Sequence, residues 1–399
     1  MKKKVLKTVV YFILLQIVFY VFHHLAEKPL FNILSIEHLL VSDVSLNDLH
    51  YQVNSRSDVD SPKLSGKIIV INTGSLSKDS FRFELANTLS EIKKYNPKAI
   101  AIDHDFIVDT TLIGTKKLIS TVDSFNNLIL AKKDETYGGS LGFSNNVRYG
   151  NVTIPDNQST VRRYSSDSST FAYQIALQLT GNKIEKISNT TFFINYLTSQ
   201  RGFFTKDSNQ FYFYSARPEE KQYDFLMLEA KDIINGDSVV LETLKRLSPG
   251  RALLLGHLGS TSMYNTINDI EDKKAVPLNN IISHEKTMDG LIIHANAVEN
   301  LISPENRFWA WSDSILFKIL KNAFVFLFIF YLLNINLGKA VNIISLSILS
   351  IPIIYLVLYL MTKNIYLEVG LTLLQFLIVE EFVEAIESIE HLYSKFKQR

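Results

Sequence analysis

The sequence contains no cysteine, which excludes a disulfide scaffold, thiol catalysis and thiolate-bound metal and leaves the redox compartment open. It also lacks an excess of either charge: 41 Lys and Arg stand against 40 Asp and Glu, a net charge of +1. No global field would hold a polyanion, which argues against nucleic acid as the main partner. Two catalytic signatures are missing as well, the Gly-x-Ser-x-Gly nucleophile elbow and the His-Glu-x-x-His zinc pair. Gly138-Gly139-Ser140-Leu141-Gly142 is glycine-rich but has no strand before it and no lysine-bearing helix after it, so it does not read as a phosphate cradle. Charged residues make up only 20% of the chain, whereas 47% is hydrophobic, with 26 Phe and 18 Tyr. That composition excludes a disordered chain, and 399 residues allow two or three folded units.

The apolar residues are crowded into the two ends. Thr8 to Ala26 runs 19 residues without a formal charge, enough at about 1.5 Å per residue to cross about 30 Å of hydrocarbon. Lys2, Lys3, Lys4 and Lys7 precede it, and it runs on into His23-His24-Leu25-Ala26-Glu27 rather than a small-residue cleavage site, so it reads as an uncleaved anchor. At the other end, Ala340 to Thr362 is 23 residues with no charge. Asn322 to Gly338, starting near Ser314 with Lys318 and Lys321 snorkelling, is a second run, and Ile365 to Val379 is a shorter third. Four transmembrane helices, one N-terminal and three C-terminal, with a basic cytoplasmic N-terminus return the C-terminus to the cytoplasm. The expected layout is an anchor over 1–26, an extracytoplasmic domain over 27–313, three membrane helices over 314–383 and a cytoplasmic amphipathic tail over 384–399. In a double-membrane bacterium this layout would make the chain a multi-pass inner-membrane protein with its main domain in the periplasm.

The soluble middle alternates short apolar strands with helices. Gly66 to Asn72, Lys98 to Ile102, Asn127 to Ala131, Phe192 to Tyr196 and Arg251 to Gly256 read as strands. Helices are expected over Lys78 to Lys94, where Phe81, Leu85, Leu89 and Ile92 make one apolar face, near Leu118 to Phe125, over Phe171 to Leu179 and over Ile292 to Ile302. Val53 to Ser65 and Phe203 to Lys221 read as loops or hairpin insertions. The implied fold class is α/β, a largely parallel sheet with helices on both faces. Ser303-Pro304 closes the last helix, and Trp309 and Trp311 mark a membrane interface.

Several short segments resemble, in order, those of the second CHASE class (CHASE-two) of extracytoplasmic sensor domain. Ile68-Ile69-Val70-Ile71 is similar to its first core strand, and Ala99-Ile100-Ala101-Ile102-Asp103 with Phe106 to its strand ending in Asp. Val161-Arg162-Arg163 resembles the family's "VRR", Ile194-Asn195-Tyr196 with Gly202 its "INYRG", and Leu255-Gly256 its "IGAT". Asp272 with Val276-Pro277-Leu278 resembles "DxFxTP", and Ile293-His294-Ala295-Asn296-Ala297 matches "IHANA". The family's Trp-Pro-rich segment is here Ser80-Phe81-Arg82-Phe83, and Leu258 stands at the threonine position of "IGAT". The resemblance implies a periplasmic α/β sensor between one N-terminal anchor and about three C-terminal membrane helices.

Candidate ligand-binding residues emerge from position and chemistry. Asp103-His104-Asp105 ends a strand of a parallel sheet, where α/β proteins place their sites, with His257 and His294 as distant partners. Strand alternation sends neighbours to opposite faces, which argues against a metal site there. Arg162, Arg163 and Arg201 could fork onto an anion, against the commoner fate of pairing with loop carboxylates. Asn195 joins Asp103, Arg162, Arg163, Arg201 and His257 as ligand candidates. His294 shares a helical face with Ala297, Val298 and Leu301 and reads as a satisfied core histidine. No catalytic residue, metal or cofactor is expected.

The function expected is extracytoplasmic sensing of a small ligand or a periplasmic protein. Only about 16 residues come after the last span, too few for a kinase or cyclase, so output requires a separate cytoplasmic partner. The alternatives are an accessory or scaffold subunit of an envelope complex and, without a nucleophile constellation to support it, a membrane-anchored periplasmic hydrolase. In the tail, Val379, Phe382, Ile386, Ile389, Tyr393 and Phe396 recur at three and four, the seam of a coiled coil that would serve a homodimer, a docked partner or packing within one chain.

Overall fold

The computed structural model describes residues 2–26, 63–104, 106, 111–133, 142–143, 147–154, 161–181, 183–185, 187, 190–196, 202–204, 211–213, 223–258, 273–276, 287–304, 307–311, 314–334, 351–366 and 370–397. In chain order the elements are α1 (Lys2–Ala26), β1 (Lys63–Asn72), α2 (Phe81–Lys93), β2 (Ala99–Asp103), α3 (Thr115–Val122), β3 (Leu128–Lys132), β4 (Arg148–Asn151), β5 (Arg163–Ser165) and α4 (Phe171–Thr180). Next come β6 (Thr191–Phe193), β7 (Gly202–Phe204), β8 (Phe211–Phe213), β9 (Tyr223–Glu229), α5 (Ala230–Ile234), α6 (Ser238–Leu247), β10 (Ala252–Gly256), β11 (Lys273–Ala275) and β12 (Thr287–Asp289). The last are α7 (Gly290–Ile302), β13 (Trp309–Ala310), α8 (Ile315–Asn334), α9 (Ile351–Met361), β14 (Ile365–Tyr366) and α10 (Gly370–Lys397). Two compact units result, Gln52–Phe308 and the combination of Met1–Tyr51 with Trp309–Arg399.

The first unit is an α/β fold around a six-stranded sheet in the order β4-β3-β2-β10-β1-β9, every pairing parallel. Its inner strands β2, β3 and β10, and β1 from Ile68 to Ile71, are buried on both faces, which is why they read as continuous apolar runs. Ile69, Ile71, Ile100, Ile102, Leu253 and Leu255 pack with α2, α3, α5 and α6 on one face. The alternating set, Ile68, Val70, Ala99, Ala101 and Leu254, is equally buried and lies under α4 and α7. Period-two alternation thus divides each strand between two helical layers. Gly181, left-handed at φ 66°, closes α4, and Asp237 caps α6 by accepting from the Val239 and Val240 N–H groups.

Two local expectations change and a third is met. β1 starts at Lys63, inside the stretch expected as a loop, because Lys63 and Leu64 pair with Tyr223 and Asp224 of β9, with a register shift before Ile69. The Phe192 run is not part of the main sheet: β6 pairs antiparallel with β5 in a ribbon of its own. An apolar run announces a strand but not its partner. The expected hairpin insertion after residue 200 is an antiparallel pair, β7 with β8.

The second unit contains long apolar helices. Among the described residues one, Ile315–Leu333, is long and apolar enough to cross a membrane, and Ile351–Met361 is a shorter apolar helix. Each of α1, α8 and α10 contributes a pair spaced by four residues to a shared interior: Tyr11 with Leu15, Val325 with Ile329, and Val379 with Val383. Apolar side chains on the other faces of α1 and α8 point outward, the arrangement expected where lipid replaces a protein neighbour. The third C-terminal run departs from expectation. Ile365 and Tyr366 form a short strand beside Trp309 and Ala310, and helix begins only at Gly370. Its uncharged part before Glu380 is therefore about 15 Å long, half a bilayer core. The tail seam also divides: Val379 is buried and Phe382 and Ile386 pack on the same interior, whereas Ile389 and Tyr393 are exposed.

Candidate functional site

A parallel sheet brings all its carboxyl ends to one edge, and ligand sites in open α/β sheets form there, where strand order reverses. Here β10 lies between β1 and β2, while β9 lies on the far side of β1. A cavity of about 380 Å³ opens at that place, lined by Thr73 and Gly74 after β1, His104 and Phe106 after β2, and His257 after β10. The turn into α2 adds Leu76, Lys78, Asp79, Phe81 and Arg82, and the segment before α3 adds Leu112 and Ile113. The size falls in the range of about 300–1,000 Å³ usual for small-molecule sites.

Asn72 holds the floor. Its Nδ2 donates to both carboxylate oxygens of Glu229 at 3.1 Å, and its Oδ1 accepts from the Gly74 N–H at 2.9 Å and the Leu258 N–H at 3.0 Å. Two N–H donors facing one atom identify that atom as the oxygen, so the amide orientation is determined. One buried side chain therefore ties the ends of β1, β9 and β10 together. The Thr73 N–H donates to Gly256 O at 2.9 Å and closes the same junction. Burial raises the pKa of Glu229, opposed by the amide donor of Asn72. The Ser75 hydroxyl is buried near that carboxylate without hydrogen-bond geometry.

The walls are aromatic and cationic. His104 lies 4.5 Å from the Phe81 ring and 5.3 Å, edge on, from Phe106, which in turn meets Phe143 at 5.9 Å. Arg82 is only 6% exposed, and its Nη1 donates to Thr115 Oγ1 at 2.7 Å. Thr115 Oγ1 in turn donates to Leu112 O at 2.8 Å, so the guanidinium braces the segment carrying Leu112 and Ile113. Gly114, at φ 85°, lies against the Phe83 backbone with no room for a Cβ, which brings that segment close to α2. Beneath α2, burial alone would raise the Glu84 pKa, but the Ser77 N–H, the Lys231 ammonium and the Ser80 hydroxyl hold it below the ordinary carboxylate value. These bonds fix the first turn of α2 and with it Phe81 and Arg82.

Of the ligand candidates that lie among the described residues, His257 lines this cavity, and so does His104 of the Asp103-His104-Asp105 run. Asp103 belongs to the opposite face of β2, in step with Ala99 and Ala101, and its charge acts on Tyr164. The expected separation of Asp103 from His104 is thus realised. Among the described residues no three His, Asp or Glu side chains gather as a metal-ligand set. Arg163 stacks over the Phe193 ring at 3.9 Å, and the Arg162 carbonyl accepts from the Ile194 N–H at 2.9 Å. Asn195 exchanges two backbone hydrogen bonds with the side chain of Asn300, at 2.9 and 2.8 Å. These three residues belong to the β5–β6 ribbon and its union with α7. Arg201, Asp105 and Asp272 lie outside the described residues.

The α7 motif has a structural explanation. His294 is 2% exposed, and its Nδ1 is 2.7 Å from the Tyr164 hydroxyl, with Phe171 packed at 5.5 Å. Burial depresses its pKa to about 3, so it is a neutral core imidazole, and burial raises Tyr164. Asn296 and Asn300 are fully buried and bonded to Ile292 O, Asn296 O and Asn195 O. Tyr196 donates to Val161 O at 2.7 Å. Of the segments that carried the resemblance, residues 161–163, 194–196 and 293–297 build the frame on the α7 side, while Phe106 lines the cavity together with Lys78, Phe81, Arg82 and His104. The signal that could have found them is placement after the first and second strands of a parallel sheet.

A family model described as the CHASE2 domain matches residues 27–333. No curated protein and no solved structure gives a significant match to the chain.

Proposed function

Because the chain belongs to the CHASE2 domain family, a family of extracytoplasmic sensor domains, we propose that it is a membrane-bound sensor that takes a small ligand into the cavity at the carboxyl edge of its sheet. The observation that carries this reading is the cavity itself, placed at the strand-order reversal and walled by aromatic, cationic and imidazole side chains. In this account the protein sits in a bacterial inner membrane with four spans and its α/β domain in the periplasm. The helices of the membrane unit carry the change to a separate cytoplasmic partner. Chemistry is not the task of the domain: binding shifts the populations of two arrangements of the helices.

Lys7 near the start of α1 pairs with Glu387 at 3.2 Å and Glu390 at 3.0 Å on α10, which supports a common side for both ends and offers a readout. Cysteines replacing Lys7 and Glu387 in native membranes should cross-link at a rate that changes when Leu112→Trp fills the cavity mouth. An unchanged rate, with an envelope protein recovered equally from both forms, would favour the scaffold reading instead.

A further inference from the structure

Helix α10 carries two apolar faces, and the protomer uses one of them. Val379, Val383 and Ile386 turn to the interior shared with α1 and α8, and Glu390, on the same side, bonds Lys7 and the Tyr11 hydroxyl. About 120° around a helix of about 3.6 residues per turn lies a second set, Ala385, Ile389 and Leu392, spaced by four and three. All three are exposed, Ile389 by 64% and Leu392 by 57%. We propose that this second face is covered by the same face of a second copy of the chain, the two α10 helices running parallel and in register as a short coiled coil. The seam is displaced from the one expected in the sequence. Val379, Phe382 and Ile386 are committed to the protomer's own interior, which leaves Ala385, Ile389 and Leu392 as the free stripe, with Phe396 next in the register.

Lipid does not serve as the cover. Lys7 pairs with Glu387 at 3.2 Å and Glu390 at 3.0 Å; such a layer of charge stands at the edge of the hydrocarbon, so Ile389 and Leu392 lie at or beyond it. Glu384, Glu387 and Glu390 are exposed on the same helix and would be repelled by an anionic leaflet. A second copy fits by charge. With Ile389 at position a and Ala385 and Leu392 at d, Glu380, Glu384, Glu387 and Glu390 fall at b, c and f, away from the seam. In a parallel pair Glu381 of one copy meets Ile386 of the other and Ser388 meets Tyr393, so no like charges oppose each other across it. A basic partner helix would be recognised by glutamates flanking the seam, and most of them point elsewhere. The parallel sense rests on the membrane-bound reading, since copies inserted in one bilayer direct α10 the same way, and confinement there offsets the shortness of the seam.

The test places single cysteines in the full chain in native membranes, against a background that has no cysteine, and follows disulfide formation under mild oxidation. Cysteine at Ala385, Ile389 or Leu392 should join two copies at least about tenfold faster than cysteine at His391 or Ser394, which are exposed but off the seam. It should also outpace cysteine at Ile386, the position favoured by the seam expected in the sequence. Self-linking at all three positions requires a parallel, in-register pair, because antiparallel helices bring like positions together only at their crossing point. Ile389→Glu combined with Leu392→Glu, both at exposed positions, should leave the fold intact and turn two-step photobleaching of labelled chains into one step. Equal rates around the helix, no cross-link at the seam, fastest linking at Ile386, or an adduct with a different protein in place of the dimer would overturn the assignment. Alkaline extraction of the same membranes reports separately whether the chain is membrane-bound. Occupancy of the cavity is untouched by these variants, so loss of the dimer leaves the sensing reading standing.

Discussion

Replacing Tyr164 by Phe removes one oxygen from a fully buried position and leaves the ring that packs at 5.6 Å against His294. What it strips away is the 2.7 Å hydrogen bond to His294 Nδ1, together with the hydroxyl's acceptance of the Ala172 N–H. No water reaches that nitrogen, because His294 is 2% exposed, so the imidazole loses its partner without compensation. A buried polar group left unsatisfied costs about 1–3 kcal/mol. For a unit the size of Gln52–Phe308 that lowers the melting temperature by about 2–4 °C per kcal/mol. The assay is thermal unfolding of the full chain, monitored by the near-ultraviolet signal, for wild type, Tyr164→Phe, His294→Phe and the double variant. If the bond matters, Tyr164→Phe costs distinctly less in the His294→Phe background, and the difference is the coupling energy. Strict additivity would refute the reasoning, since it would show that the hydroxyl stabilises through something other than His294.

Acidification should expose the same histidine. Its pKa falls from about 6.5 unfolded to about 3 folded, so the unfolded chain binds one more proton between those values. Stability from this group is whole above about pH 6.5 and declines as pH falls, by up to about 1.4 kcal/mol per pH unit. Glu229, with its raised pKa, works in the opposite sense, so the comparison of wild type with His294→Phe isolates the histidine: the variant should lose less stability between pH 6.5 and 5, and an equal loss would contradict the assignment. Asn72→Ala should cost about 1–3 kcal/mol for each buried group left unsatisfied and loosen His257 and Gly74 together, seen as faster amide exchange after β1 and β10; protection unchanged at both places would show that Asn72 does not tie them. In the tail, Ile389 is 64% exposed, so cysteine at Ile389 should cross-link between chains if the seam dimerises, while cysteine at Glu390, held by Lys7 and Tyr11, should not.

The parallel sheet was legible because its strands are buried on both faces: Ile68 to Ile71 and Leu253 to Leu255 could be read as strands from composition alone. The same physics hid β9, β4 and the extra residues of β1, whose mixed composition is made into strand by a partner distant in sequence. His294 could be read as core because its helical neighbours are apolar. The Arg162 and Arg163 expectation missed the cavity because arginine carries both anion recognition and aromatic stacking in its chemistry, and only Phe193 beneath Arg163 decides between them. Arg82 was obscured in the opposite way. In sequence it is one charge in a helix, and its burial against Thr115 depends on Gly114 letting another segment approach. Residues assembled by the carboxyl edge come from three separated turns, and no local pattern joins positions 73, 104 and 257.

The sensing account stands on occupancy of that edge, and native mass spectrometry of the full chain released directly from its own membranes measures it. The account predicts wild-type protein carrying a small-molecule adduct, absent when Leu112→Trp fills the mouth of the cavity. A wild-type mass with no adduct, or an adduct kept equally by the filled variant, would contradict it.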